Sequence, residues 1–293
     1  MAFLRTDSGI TNMRLFYEAD FIMFTEGGAT SFSLPELIEG DCNATSIDVK
    51  FWDGIFKNYK LGKRIKFKPI GSKSTAREIC EKIIGGEVQN VIVGLDRDMD
   101  EFDGELFDSP FILYTKGYSW ENDVFSRDLT REQIGNMLLF PELPDEVTAI
   151  VDSAYDDFKR IGKHLVRLEL IFRGQGIKFI TEFHGERFFN GRVSPFIDKN
   201  EVFSILNEKR VLLSRPTNSL PKVQFCPFLN NYGKLIQALS ITIITYIGRK
   251  YGELKSFPKD LILSAMLERY FRRSKDVADD YYASCVNELG ASL

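Results

Sequence analysis

The sequence predicts an α/β fold, a parallel-sheet βαβ domain followed by a mainly α-helical C-terminal region. Three observations carry that expectation. Between residues 20 and 125, apolar runs of strand length alternate with a stretch of helical period, as in layered βαβ units. Two of those runs end abruptly in acid: Phe21-Ile22-Met23-Phe24-Thr25 is followed by Glu26-Gly27-Gly28, and Val91-Ile92-Val93-Gly94-Leu95 by Asp96-Arg97-Asp98-Met99-Asp100. From about residue 130 the apolar spacing becomes helical throughout. The chain therefore divides into residues 1–128 and 129–293, with a soft boundary at 126–142, where Leu138, Leu139 and Phe140 are still apolar.

In order, the predicted strands are Phe21 to Thr25, Ser46 to Phe51, Ile65 to Ile70, Val88 to Leu95 and Phe111 to Thr115. A helix from Ser72 or Ser74 to Ile84 is read from Ala76, Ile79, Cys80 and Ile83, with Gly85-Gly86 as its stop. Pro144-Asp145-Glu146 has the proline and acids of a helix N-terminus, and Val147, Ile150, Val151, Ala154, Phe158, Ile161, Leu165 and Leu168 continue one stripe toward Gly174. Tyr232 to Tyr251 and Pro258 to about Leu289 read as two further helices. The aromatics Tyr270, Phe271, Tyr281 and Tyr282 suit either a core or a dimer or partner surface.

Composition narrows the function. The chain has 293 residues and a net charge of −4, which gives no overall attraction to nucleic acid. Residues 1–125 hold 14 lysines and arginines against 21 carboxylates, so the acidic part carries the candidate site. Cys42, Cys80, Cys226 and Cys285 have no paired spacing, and the first residues lack a long apolar run, so a reduced, cytoplasmic protein without structural zinc is expected. The apolar stretch Leu235 to Ile247 is too short to span a membrane, since a span needs about 20 residues.

Alternate residues of an extended chain point the same way, so Asp96, Asp98 and Asp100 can offer oxygens to one cation. Carboxylates gathered together repel unless a cation lies between them, and Mg²⁺, or Mn²⁺ in its place, suits an oxygen-only set. Glu26, arriving from another strand tip, can bind metal or accept a proton from the attacking water. Lys73, in Gly71-Ser72-Lys73-Ser74-Thr75, stands at a helix start, where it either meets a substrate phosphate or is part of ordinary capping. This is no Walker A loop, because Ser72 separates glycine from lysine and Lys66 stands where the earlier glycine belongs. Nor is it an EF-hand, whose sixth and twelfth positions would here be Glu101 and Phe107. A phosphatase built on Asp-x-Asp is a third reading, against which Asp100 stands in place of a small Thr or Val. On the helices, Lys159, Lys163 and Arg167 share one face, and Arg269, Arg272, Arg273 and Lys275 cluster. Both groups are either solvated or turned to nucleic-acid phosphates.

The ordered set Glu26-Gly27, Asp96-Arg97-Asp98 and Tyr118-Ser119-Trp120-Glu121-Asn122 resembles the TOPRIM-type nucleases of the OLD-like defence families. The resemblance implies a TOPRIM fold and Mg²⁺-dependent phosphodiester cleavage. Glu26 would be the glutamate of that site and Asp96 and Asp98 its Asp-x-Asp ligands; beside that set, Asp100 or Glu121 is expected to complete the metal ligands, or the site uses fewer, and Lys73 to assist. It also implies a partner ATPase of the ABC/SMC type that keeps the nuclease silent, and a phage anti-restriction protein as indirect trigger. The released nuclease would act as a homodimer that cuts host RNA, with tRNA as the expected substrate. Many TOPRIM segments carry an aspartate four residues after the glutamate, where this chain has Thr30. A non-catalytic sensor or regulatory subunit with a degenerate acidic site is the alternative.

Overall fold

A computed structural model describes residues 7–28, 30–39, 46–181, 184–213, 224–252 and 258–293. The chain forms two compact units, one of residues 1–116 together with 271–293, the other of residues 117–270. The division therefore falls at 116/117 rather than 128/129, and the C-terminal residues return to the first unit. Cys42 lies outside the described residues.

The first unit runs α1 (Asp7–Phe16), β1 (Phe21–Thr25), α2 (Leu34–Glu39), α3 (Ile47–Asn58), β2 (Ile65–Pro69), α4 (Lys73–Ile84), β3 (Val91–Leu95), α5 (Asp100–Asp103) and β4 (Ile112–Tyr114). The second contains α6 (Trp120–Val124), α7 (Arg127–Met137), α8 (Asp145–Arg173), α9 (His184–Phe188), α10 (Lys199–Arg210) and α11 (Gly233–Tyr251). Helix α12 (Lys259–Asp276) spans the boundary residue, and α13 (Asp280–Ala291) belongs to the first unit.

The described strands make one four-stranded, wholly parallel sheet in the order β2-β1-β3-β4. β1 pairs with β2 on one side and β3 on the other, and Thr25 is level with both Pro69 and Gly94. The chain leaves β1 for one neighbour and later returns to the other, so the crevice beyond the carboxyl ends of β1 and β3 is a topological switch point, where open α/β sheets bind ligands. On one face Ile22, Phe24, Val91, Val93 and Leu95 are part of a core with Ile10 and Met13 of α1, Leu37 of α2, and Ile79 and Cys80 of α4. On the other, α3 brings Trp52 so close that a Cβ on Gly94 would lie 2.5 Å from its Nε1, which explains a glycine inside a buried strand. Tyr282 of α13, wholly buried, packs edge-on to Phe51 of α3 at 5.7 Å. Tyr282 and the largely buried Tyr270 are thus core residues.

Two sequence expectations are corrected. Ser46 to Phe51 is not a strand but the start of α3: Ser46 Oγ caps it by accepting the Val49 N–H at 3.2 Å, and Phe51, Trp52, Ile55 and Phe56 are its buried stripe. Six residues of apparent alternation hid a helical period that only the next turn reveals. The predicted helix from Pro258 to Leu289 is two helices, because Asp279 accepts the Tyr281 N–H and caps a new start. The other strands fall inside their predicted spans, the long helix ends at Gly174, and Ser72 is the cap of α4.

In the second unit α8 is a 29-residue spine that buries Val147, Val151, Ala154, Phe158 and Leu165. Helix α11 packs against α6, α7, α8 and α9 and is apolar nearly all round for that reason. Among the described residues no helix is long and apolar enough to cross a membrane.

Candidate metal and catalytic site

Because β1 and β3 are adjacent, parallel and in register, the residues just past their ends meet. Glu26 donates its own N–H to the Gly94 carbonyl at 3.1 Å, continuing the ladder one residue beyond the strand, and its Oε2 accepts the Asp96 N–H at 3.3 Å. The chain then turns through Asp98, whose φ of 50° is in the left-handed region, a conformation aspartate tolerates at roughly 1 kcal/mol. From the end of β2 comes Lys73, the first residue of α4. Its ammonium is ion-paired with Asp98 and lies 3.0 Å from Asp100, which is only 2% exposed. One turn along α4, Arg77 reaches the same Asp100 at 3.3 Å. Five sequence-predicted residues, Glu26, Lys73, Asp96, Asp98 and Asp100, are therefore gathered by three strand tips.

The electrostatics show what that gathering costs. Burial, with the Asp98 carboxylate next and Asp48 adding to it, pushes Glu26 up to about 7 against the opposing pull of Lys73 and the Asp96 N–H. For Lys73 burial works against the charge, but Asp98, Asp100 and Glu26 outweigh it and hold the ammonium above its ordinary value. Lys73 is thus a firm cation and Glu26 a carboxyl that exchanges its proton near neutrality.

Asp48 escaped the sequence reading. It is in the first turn of α3, the segment read there as a strand, and a Cβ on Gly27 would come within 1.9 Å of its Oδ2. The glycine after Glu26 is therefore a spatial requirement that lets a further acid approach the β1 tip. Arg97 stands between the two aspartates in the chain and is bonded elsewhere. Its Nε donates to the Thr115 carbonyl at 2.9 Å and its Nη2 to the Tyr281 hydroxyl at 2.7 Å, and that hydroxyl donates to the Tyr114 carbonyl at 2.9 Å. The loop is thereby tied to β4 and α13. No sequence signal links residues so far apart in the chain.

Glu121 belongs to the second unit. There Ser119 Oγ donates to its Oε2 at 2.6 Å and Lys234 pairs with its Oε1 at 2.5 Å, while Ser119 and Asn122 form a capping box on α6. Of the basic cluster on α12, Arg269 is 8% exposed and donates to Gln133 Oε1 at 3.1 and 3.2 Å, an internal brace rather than a phosphate-facing cation. Lys159, Lys163 and Arg167 are exposed on α8.

The oxygen-only donors Glu26, Asp96 and Asp98 are of the kind that suits a hard divalent cation. Among the described residues no three His, Cys, Asp or Glu groups are arranged as a ready metal cage, and Lys73 neutralises Asp98 and Asp100 in its place. Fold and site together define an α/β protein with an acidic, lysine-bridged cluster at the switch point of a parallel sheet. No protein-family model matches the chain, and no curated protein matches it either.

Proposed function

We propose that this chain is a metal-dependent phosphodiesterase of the TOPRIM type that cuts nucleic acid. The observation that carries the reading is the contact across adjacent strand tips at the switch point, where the Glu26 carboxylate accepts the Asp96 backbone N–H and Lys73 is ion-paired with Asp98. Glu26, Asp96 and Asp98 would hold Mg²⁺ or Mn²⁺, which supplies Lewis-acid stabilisation of phosphoryl oxygens when bound. The chain's own groups do the rest. Glu26, where it does not itself bind the ion, would accept a proton from the attacking water at its carboxylate. Lys73 stays charged and offsets negative charge beside Asp98. Arg97, held by Thr115 and Tyr281, keeps the Asp-x-Asp loop in place.

The ordered motifs resemble those of AriB, the effector nuclease of the PARIS anti-phage system, and that resemblance extends the proposal. On it, the protein is a cytoplasmic toxic effector, held silent by an ABC/SMC-type ATPase and released when a phage anti-restriction protein appears. It then acts as a homodimer on host tRNA. One feature favours a second reading, a non-catalytic regulatory subunit: Thr30 stands in place of an acidic ligand, and Lys73 already balances Asp98 and Asp100.

The test is incubation of the purified chain, alone and with its ATPase and trigger, with total tRNA and with plasmid DNA, in Mg²⁺ or EDTA. Metal-dependent cuts that Glu26→Ala abolishes support the nuclease. Silence of wild type and variant alike under an activating trigger supports the regulatory subunit.

A further inference from the structure

Between α8 and α10 of the second unit lies a cleft of about 520 Å³ whose walls are almost wholly apolar. Ile161, Leu168 and Ile171 form one side, and Val202, Phe203 and Leu206 the other. Phe203 is 61% exposed. One exposed aromatic is ordinary, but here Phe203 is continuous with the apolar side chains of a trough between two helices.

The charge around the trough selects the occupant. Its charged and titratable lining residues are His164, Arg167 and Lys199, and no carboxylate lines it among the described residues. Lys199 is partly balanced by Asp157 at 3.1 Å, a residue outside the cleft, and Lys163 adds an exposed cation on the preceding turn of α8. An apolar floor with a cationic rim complements a helix that has an apolar stripe flanked by acids, the groove-binding mode of amphipathic helices. Along α8 the lining runs from Ile161 to Ile171, about 15 Å at 1.5 Å per residue, which accommodates two to three turns.

We infer that the cleft between α8 and α10 docks a short acidic amphipathic helix of a partner protein. The inference is independent of the chemistry in the first unit and stands whether or not the chain cleaves nucleic acid.

The test uses the full chain and two labelled synthetic helical peptides with the same leucine stripe, one flanked by glutamates and one by lysines, followed by fluorescence anisotropy. The glutamate peptide is expected to bind. Its affinity should fall by at least about tenfold with Phe203→Glu, by a similar factor with Arg167→Glu, and progressively as salt is raised. Both substitutions fall at surface positions, and unchanged circular dichroism verifies that each variant is folded. The inference is overturned if the glutamate peptide does not bind, if the lysine peptide binds equally well, or if Phe203→Glu leaves binding intact. It is also overturned if the wild-type chain proves to be a dimer that Phe203→Glu converts to a monomer, since a second copy would then be the occupant.

Discussion

Glu26 in the first unit is half-buried and Glu121 in the second is buried, and they are held in opposite ways. Glu121 has a lysine on one oxygen and a serine hydroxyl on the other. Glu26 has one backbone N–H at 3.3 Å, and burial, with Asp98 and Asp48 adding to it, pushes its proton affinity up to about 7 against the pull of Lys73. In the second unit the buried Asp157 meets both Arg160 and Lys199 and the half-buried Arg131 pairs with Asp152, while the buried Glu169, raised by burial, accepts the Ile180 N–H at 2.7 Å. In the first, Lys73 is shared among several acids that the strand tips force together. Matched charge holds a fold, whereas unmatched charge at a strand tip is kept at the expense of stability and marks the place to look for chemistry.

The largest test of this contrast is Glu26→Gln. On the proposed nuclease reading it lowers cleavage by about 10²–10⁴-fold, the usual worth of a general base, while leaving the protein at least as stable as wild type. A comparable loss of activity from Glu121→Gln, measured per folded molecule, would erase the distinction.

The next effect is a pH dependence of stability in EDTA. Glu26 has its folded-state pKa raised from 4.5 to about 7, so between those values the folded protein holds a proton that the unfolded chain has lost. Stability should therefore fall as pH rises through that window, by about 2 to 3 kcal/mol for this group, and Glu26→Gln should flatten the curve in denaturant titrations.

Glu121→Gln should instead lower stability by about 1 to 3 kcal/mol at neutral pH, since it removes a charged acceptor from Lys234 and Ser119. Thermal denaturation would show this as a lower midpoint with cleavage per folded molecule retained. The smallest effect belongs to Lys163→Ala, an exposed position on α8, which should change stability by less than about 0.5 kcal/mol.

How much of this was legible in the sequence depends on the range of the interaction involved. β1 was read to the residue because Asp20 and Glu26 bracket four apolar residues and a threonine, a strand that pairs on both sides. Glu26, Asp96 and Asp98 were legible because strand ends and acids coincide in the chain. Asp48 was not, since its approach depends on α3 lying where Gly27 has no side chain. The Arg97–Tyr281 bond was equally hidden, being made between β3's loop and the last helix. Glu121 looked like a site residue from its position after the last strand, but Lys234, the partner that balances it, lies on a helix far along the chain. The break between α12 and α13 turns on Asp279, a cap that follows Val277-Ala278 with no glycine or proline to mark the stop.

The most direct measurement of the central claim is the thermal shift produced by Mn²⁺ on the wild-type chain and on Glu26→Gln, Asp98→Asn and Glu121→Gln. Unmatched charge at the strand tips predicts stabilisation by the ion in wild type and in Glu121→Gln, and its loss in the other two. No shift in wild type, or a shift abolished equally by Glu121→Gln, would contradict it.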